Sequence, residues 1–208
     1  MNTSWRIRPA RADDAEHVAE IYAPVVLDTI ISFETEPPSA AEMRARIEDC
    51  NRTHAWLVCV DADDAPRAYA YCGTHRKREG YQWTCETSVY VHSGFQRRGL
   101  ARILYRALDV CMLRQGFYQA LAGIGLPNPG SQALHHAAGY TRFALFENVG
   151  FKFDRWVATE WWRKQLRPFE STPAVKPVAP VGLNHLIEQG VNFDDLFADV
   201  FNNPDRVD

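Results

Sequence analysis

Three groups of residues in this 208-residue chain have the types and spacing to do chemistry. Gln96-Arg97-Arg98-Gly99-Leu100-Ala101 stands between a run with the period of a strand, Ser88-Val89-Tyr90-Val91, and one with the period of a helix. The helical stripe is Leu100, Ile103, Leu104, Ala107, Leu108, Cys111 and Met112. A loop entering a helix there offers backbone N–H groups at the positive end of the macrodipole, where an anion is favoured. Arg97 and Arg98 add charge, and Gly99 lets the backbone approach a phosphate closely. That is the chemistry of a pyrophosphate cradle, although an ordinary amphipathic helix with a basic cap has the same letters. No Gly-Lys-Ser/Thr follows and no Gly-x-Gly-x-x-Gly is present, so neither the Walker loop nor the dinucleotide fingerprint applies. Glu86 puts a carboxylate on an otherwise apolar and aromatic strand, where it can serve as a general base or stand as an exposed strand-end acid. Arg76, Lys77 and Arg78 gather three cations just before it, able to grip an anion or to solvate a turn.

The elements that must position these groups follow from periodicity. Trp5–Arg8 reads as a first strand, and Asp13 with Glu16 as the start of a helix carrying Val18, Ile21, Tyr22 and Val25. Ser39-Ala40-Ala41-Glu42 is a capping box for a second helix running to about Asn51. Ala55–Val60, Ala68–Thr74 and Cys85–Val91 read as strands, followed by the helix after Gly99 and a strand Ala120–Leu126. Gly130–Ala138 is a short helix stopped by Gly139, and Arg142–Val149 and Arg155–Gln165 are two late strands. The order β-α-α-β-β-β-α-β-α-β-β predicts a mixed α/β domain around a twisted sheet over residues 1–166. Residues 167–182 hold four prolines and read as a linker; 183–208 is an appendage with helical spacing at Leu183, Leu186, Ile187, Val191, Phe193, Leu196, Phe197, Val200 and Phe201, ending at Asp205 and Asp208.

Hydrophobic residues at 46% and aromatics at 12% supply a core, and a net charge of −3 argues against a nucleic-acid partner. No run of 18 apolar residues and no signal-peptide pattern at Met1–Arg11 occurs, so a cytoplasmic protein without membrane contact is expected. Five cysteines, Cys50, Cys59, Cys72, Cys85 and Cys111, form no Cys-x-x-Cys and read as buried thiols, with neither a metal site nor a disulfide frame.

Several separated motifs then resemble one family. Ile31-Ser32-Phe33-Glu34-Thr35-Glu36-Pro37, Tyr81–Val91, Gly125-Leu126-Pro127-Asn128, His135–Tyr140 and Gly150-Phe151-Lys152 are similar to the phosphinothricin N-acetyltransferase branch of the GNAT acetyltransferases. The loop at Gln96–Ala101 matches that superfamily's acetyl-CoA loop, and the resemblance spans roughly residues 5–166. It implies the GNAT fold, a mostly antiparallel sheet with helices on both faces. It also implies transfer of acetyl from acetyl-CoA to the α-amine of a small amino acid or analogue such as phosphinothricin, methionine sulfoximine or methionine sulfone, in a ternary complex. By the same resemblance, Val89, Tyr90 and Val91 meet the pantetheine arm, Gln96, Arg97, Arg98, Gly99, Leu100 and Ala101 meet the pyrophosphate, and Asn128 and Ser131 touch CoA further along. Glu86 matches the proposed base and His135 the catalytic histidine, which can donate to or orient the departing thiolate. Arg76 and Arg78 align with cations that bind the acceptor's acidic group, and Phe33, Tyr81 and Tyr90 wall its pocket, unless those aromatics simply pack the core.

The family also implies a homodimer, to which Phe151, Phe153, Trp156, Trp161 and Trp162 could contribute. Two departures stand out. The family's Lys-His-Gly-x-Trp-His is here Lys152-Phe153-Asp154-Arg155-Trp156-Val157, without histidines, and Gly123 replaces a branched residue and could enlarge the pocket. No cysteine is placed for a covalent acetyl-enzyme. Acetylation of a peptide N-terminus, or CoA binding without turnover, remain alternatives; a polycationic aminoglycoside acceptor conflicts with Arg76 and Arg78.

Overall fold

The computed structural model describes residues 5–172 and 175–202, so Pro173, Asp205 and Asp208 lie outside the described residues. Seven strands form one sheet in the order β1-β2-β3-β4-β5-β7-β6. They are β1 (Arg6–Pro9), β2 (Trp56–Val60), β3 (Pro66–Thr74), β4 (Thr84–Val91), β5 (Gln119–Gly125), β6 (Thr141–Lys152) and β7 (Arg155–Gln165). All neighbours are antiparallel except β4 and β5. The helices are α1 (Ala15–Asp28), α2 (Ala40–Thr53), α3 (Leu100–Gln115), α4 (Pro129–Ala137), α5 (Leu183–Glu188) and α6 (Phe193–Asn202).

Both faces of the sheet are covered, and the strand period divides the core between them. Leu57 and Cys59 of β2 face α3, whereas Trp56, Val58 and Val60 face α1 and α2. Ser39 caps α2 as its spacing predicts: its hydroxyl accepts the Glu42 N–H (3.2 Å) and the Glu42 carboxylate accepts the Ser39 N–H (2.8 Å). The entry to α1 differs from the expectation. A 3-10 turn at Ala12–Asp14 precedes it, and Asp14 accepts the Arg11 N–H (2.7 Å) while pairing with buried Arg8 (2.8 Å). The β6–β7 hairpin also departs, because β6 continues past Val149 to Lys152. Its two-residue turn, Phe153 and Asp154, has φ of 51° and 56°, the backbone that matches strand twist in a tight hairpin.

The segment after β7 returns to the domain. Trp83 Nε1 donates to Val178 O (2.8 Å), Val181 N–H to Gln115 O (3.0 Å) and Leu183 N–H to His54 O (2.8 Å). Leu183, Leu186, Phe197 and Val200 are buried in the same cluster as Leu104, Leu108 and Phe117.

His54, at this junction, stacks on Phe117 with 5.3 Å between ring centres. Burial pushes its pKa down to about 4. The unfolded chain binds that proton near pH 6.5, so between these values the unfolded state holds more protons. The stabilisation is complete above pH 6.5 and is lost as the pH falls towards 4, by roughly 3 kcal/mol at most. Urea titrations across that range are expected to show the slope in the wild type and a shallower one in His54→Phe.

Candidate active site

The site is built where β4 parts from β5. The two strands pair only at Thr84–Gln119, Cys85–Ala120 and Glu86–Leu121. At the next position a side chain replaces the ladder: Thr87 Oγ1 donates to Leu121 O (3.2 Å) and accepts from the Tyr140 hydroxyl (2.8 Å). Beyond it, β4 continues without a partner on that edge, and a cavity of about 470 Å³ opens in the gap. Ser88 and Tyr90 line it from one face of β4 and Val89 and Val91 from the other.

One end of the cavity is the loop into α3. Gln96, Arg97, Gly99, Leu100 and Ala101 line it. Arg97 and Gly99 both take left-handed backbone (φ 59° and 82°), and a Cβ at Gly99 would meet nothing within 4 Å, so the cradle is open there. The first helical bond runs from Ile103 N–H to Gly99 O, which leaves the Leu100 and Ala101 amides at the helix mouth free of an intrahelical acceptor. These residues fit a pyrophosphate. Arg98 is placed elsewhere: its guanidinium lies 5.0 Å from the centre of the Phe95 ring and donates to Gly94 O (3.3 Å). Asn128 and Ser131 line the same cavity, with the Asn128 side chain accepting the Ser131 N–H at 3.0 Å to cap α4.

His135 also lines the cavity but is buried, and its geometry sets its tautomer. Ser131 O, 2.7 Å from Nδ1, can only accept, so Nδ1 carries the hydrogen. Nε2 therefore accepts from the Tyr105 hydroxyl at 2.9 Å. Desolvation lowers the His135 pKa, keeping the ring neutral near pH 7. Tyr105, a cavity residue absent from the sequence candidates, is buried in α3 five residues after Leu100, next to Leu104 of the apolar stripe. His136, which follows His135 in the chain, is exposed.

Glu86 lies just beyond the cavity lining, on the α1–α2 face with Ser88 and Tyr90, and opposite Gly73 of β3. Its side chain is 39% exposed, and Oε1 lies 2.6 Å from His75 Nδ1. Arg76 Nε donates to His75 Nε2 (3.3 Å), and its guanidinium sits 5.6 Å from the centre of the Tyr81 ring. Arg76 and Tyr81 are thus brought to the base candidate, whereas Arg78 is exposed at the start of the short turn Glu79–Tyr81. Tyr90 lines the cavity and also packs on Tyr22 (4.9 Å) and Tyr69 (5.2 Å), so pocket wall and core are the same ring. Phe33 covers Gly150 so closely that a Cβ there would come within 2.2 Å of the ring. Gly123 lines the cavity, and a Cβ would make ordinary contact with Thr159 (3.5 Å) and Trp161 (3.7 Å).

The loop between α1 and α2 is fixed by polar groups. Buried Lys152 donates to Val26 O (2.6 Å) and Ser32 O (2.7 Å), tying the end of β6 to the last turns of α1 and to the loop. Desolvation lowers its pKa. Tyr22 donates to Glu34 (3.0 Å), and Arg46 forks onto the same carboxylate (2.8 and 2.9 Å), holding it below the usual carboxylate range.

The described residues contain no group of three or more His, Cys, Asp or Glu arranged to hold a metal ion, and no helix long and apolar enough to cross a membrane. Residues 7–161 match the family model described as acetyltransferase (GNAT) domain. The chain is 36% identical over 175 residues to phosphinothricin N-acetyltransferase of Streptomyces viridochromogenes, covering 84% of this chain and 93% of that protein. It is 33% identical over 171 residues to the L-methionine sulfoximine/L-methionine sulfone acetyltransferase of Salmonella typhimurium, covering 77% and 94%. The crystal structure of a GNAT superfamily phosphinothricin acetyltransferase from Sinorhizobium meliloti in complex with AcCoA superposes with a TM-score of 0.76 at 32% identity, covering 87% of this chain and 96% of that one. A divided β4–β5 pair, an anion cradle at the mouth of α3 and these matches agree, and the chain belongs to the GNAT acetyltransferase family, in its phosphinothricin N-acetyltransferase-like branch.

Proposed function

We propose that this protein transfers the acetyl group of acetyl-CoA to the α-amine of a small amino acid or analogue of the phosphinothricin, methionine sulfoximine or methionine sulfone type. The observation that carries the reading is the single cavity joining the α3 cradle to Tyr105 and His135 through the β4–β5 gap, with Glu86 just past its end. Names of relatives at 33–36% identity support the acceptor class. Acetyl-CoA supplies a thioester-activated acetyl group. Glu86 takes a proton from the acceptor ammonium, directly or through one water, freeing the lone pair that forms the N–C bond as the C–S bond breaks. The sulfur leaves with the bonding electrons and takes up the second proton that the nitrogen sheds as the amide forms. Tyr105, whose one hydroxyl hydrogen rests on His135 Nε2, hydrogen-bonds the sulfur by turning that hydrogen from His135 to it. Arg76 grips the acceptor carboxylate.

Direct attack agrees with the cysteines. Cys59, Cys72, Cys85 and Cys111 are buried, none of the five lines the cavity, and burial pushes the Cys50, Cys59, Cys85 and Cys111 thiols up, away from thiolate. The test is a thiol-release screen with acetyl-CoA against the common amino acids, phosphinothricin, methionine sulfoximine and methionine sulfone. Turnover confined to amines lacking a carboxylate would reject the reading.

We also place the protein in the cytoplasm, as a homodimer that uses the outer hairpin. β6 is an edge strand, and Phe143, Phe146, Phe151, Phe153 and Trp156 are exposed along it and β7. Trp162 takes no part, being buried on the α3 side. Phe151→Glu with Trp156→Glu is expected to convert a dimer to a monomer in sedimentation velocity; an unchanged mass overturns the assignment.

A further inference from the structure

His75 was singled out by no motif, yet it makes the shortest polar contact to Glu86. It follows β3, and the antiparallel register that sets Gly73 against Glu86 brings it there across eleven residues of sequence. The ring is 16% exposed, with Tyr81 at 5.9 Å and Trp161 at 6.2 Å between ring centres, so its orientation is packed rather than free. Its tautomer follows from its partners. Arg76 Nε can only donate, so His75 Nε2 accepts, and the ring hydrogen lies on Nδ1, pointing at Glu86 Oε1.

Resting on the acetyltransferase reading above, we propose that His75 is a positioning residue for Glu86 and that Arg76 joins this pair to recognition of the acceptor carboxylate. The Nδ1–H bond occupies Oε1 and fixes the carboxylate. Oε2, which makes no hydrogen bond among the described residues, is left as the oxygen that meets the amine proton. Arg76 spends Nε on His75 and keeps both terminal nitrogens for an anion. In an α-amino acid the amine and carboxylate share one carbon. Three contiguous side chains that run from carboxylate grip to base match that geometry, and an amine without the carboxylate engages only one end.

The experiment compares wild type, His75→Phe, His75→Asn, Glu86→Gln and the Phe/Gln double variant, in thiol-release kinetics with acetyl-CoA and methionine sulfoximine. Phe keeps the ring volume beside Tyr81 and Trp161 and removes the donor; Asn restores an N–H near the position of Nδ1. His75→Phe is expected to lower kcat roughly 10- to 100-fold, the range for losing an orienting partner, with KM for acetyl-CoA unchanged. His75→Asn recovers most of the loss. In the Glu86→Gln background the Phe substitution costs less than about twofold, because a residue acting through Glu86 has nothing left to orient. An unchanged kcat in His75→Phe, or the same fold-loss in both backgrounds, overturns the proposal while leaving the acetyltransferase reading intact. Independently of turnover, nitrogen-detected histidine spectra are expected to show His75 protonated at Nδ1, and protonation at Nε2 alone overturns it. A wild type that neither binds acetyl-CoA nor releases thiol overturns the function, and the His75 role with it.

Discussion

Glu86→Gln is expected to lower kcat about 100- to 10,000-fold, with acetyl-CoA binding unchanged. The size follows from the task. A primary amine is almost wholly protonated at neutral pH, and an amide side chain cannot take its proton. The selectivity follows from placement. The residues that line the cavity at the mouth of α3 are Gln96, Arg97, Gly99, Leu100 and Ala101, with Asn128, Ser131 and His135 further along, and Glu86 is not among them. Its charge is also not needed to hold the strand, since β4 pairs with β3 through backbone bonds from Cys85 to Val91. Gln keeps an oxygen that can accept from His75 Nδ1, so the local geometry survives. Thiol release reads kcat, and calorimetric titration with acetyl-CoA reads binding. Turnover within a factor of a few of the wild type would remove Glu86 from the role of base. A loss of donor binding would show that the side chain supports the cavity instead.

How far the sequence could lead is visible at particular residues. The eleven elements from β1 to β7 were legible in order, because strand and helix periods are written in apolar positions such as Leu57, Cys59, Leu104 and Leu108. The capping box at Ser39 was legible for a local reason: donor and acceptor are three residues apart. The loop at Gln96–Ala101 stood out because a strand period gives way to a helix period across it. What could not be read depends on tertiary register. Nothing local distinguishes His75 from its cationic neighbours; only the pairing of β3 with β4 sets it against Glu86. Arg97 and Arg98 are alike in sequence, yet one lines the cavity and the other stacks on Phe95. Tyr105 looks like helix core until α4 brings His135 to its hydroxyl. The entry to α1 misled because the cap is Asp14, whose carboxylate is already held by Arg8, rather than Asp13.

A chain ending at Leu166 is expected to lose cooperative folding, although the family match ends at residue 161. The four buried side chains after the proline-rich segment, Leu183, Leu186, Phe197 and Val200, belong to the central cluster and are each 5% exposed or less. Burial of such side chains contributes about 1.5–3 kcal/mol apiece, so their removal costs on the order of 8 kcal/mol against a typical total of about 5–15. Polar anchors go as well: Arg106 Nη1 donates to Val200 O (2.9 Å), and Gln115 Nε2 to Val181 O (2.9 Å). The segment passes so close to α2 that a Cβ at Gly182 would fall 2.1 Å from Arg52 O, which places the contact in the fold rather than beside it. A milder variant separates packing from wholesale loss. Phe197→Ala is expected to cost about 3–5 kcal/mol and to lower Tm by roughly 10 °C, with kcat unchanged below the transition. Phe197 lines no part of the cavity between β4 and β5, so the two readouts are independent. A truncated chain that melts like the full one would mean that these residues cover the core without supporting it. One that stays folded but loses turnover would instead tie the tail to the active site.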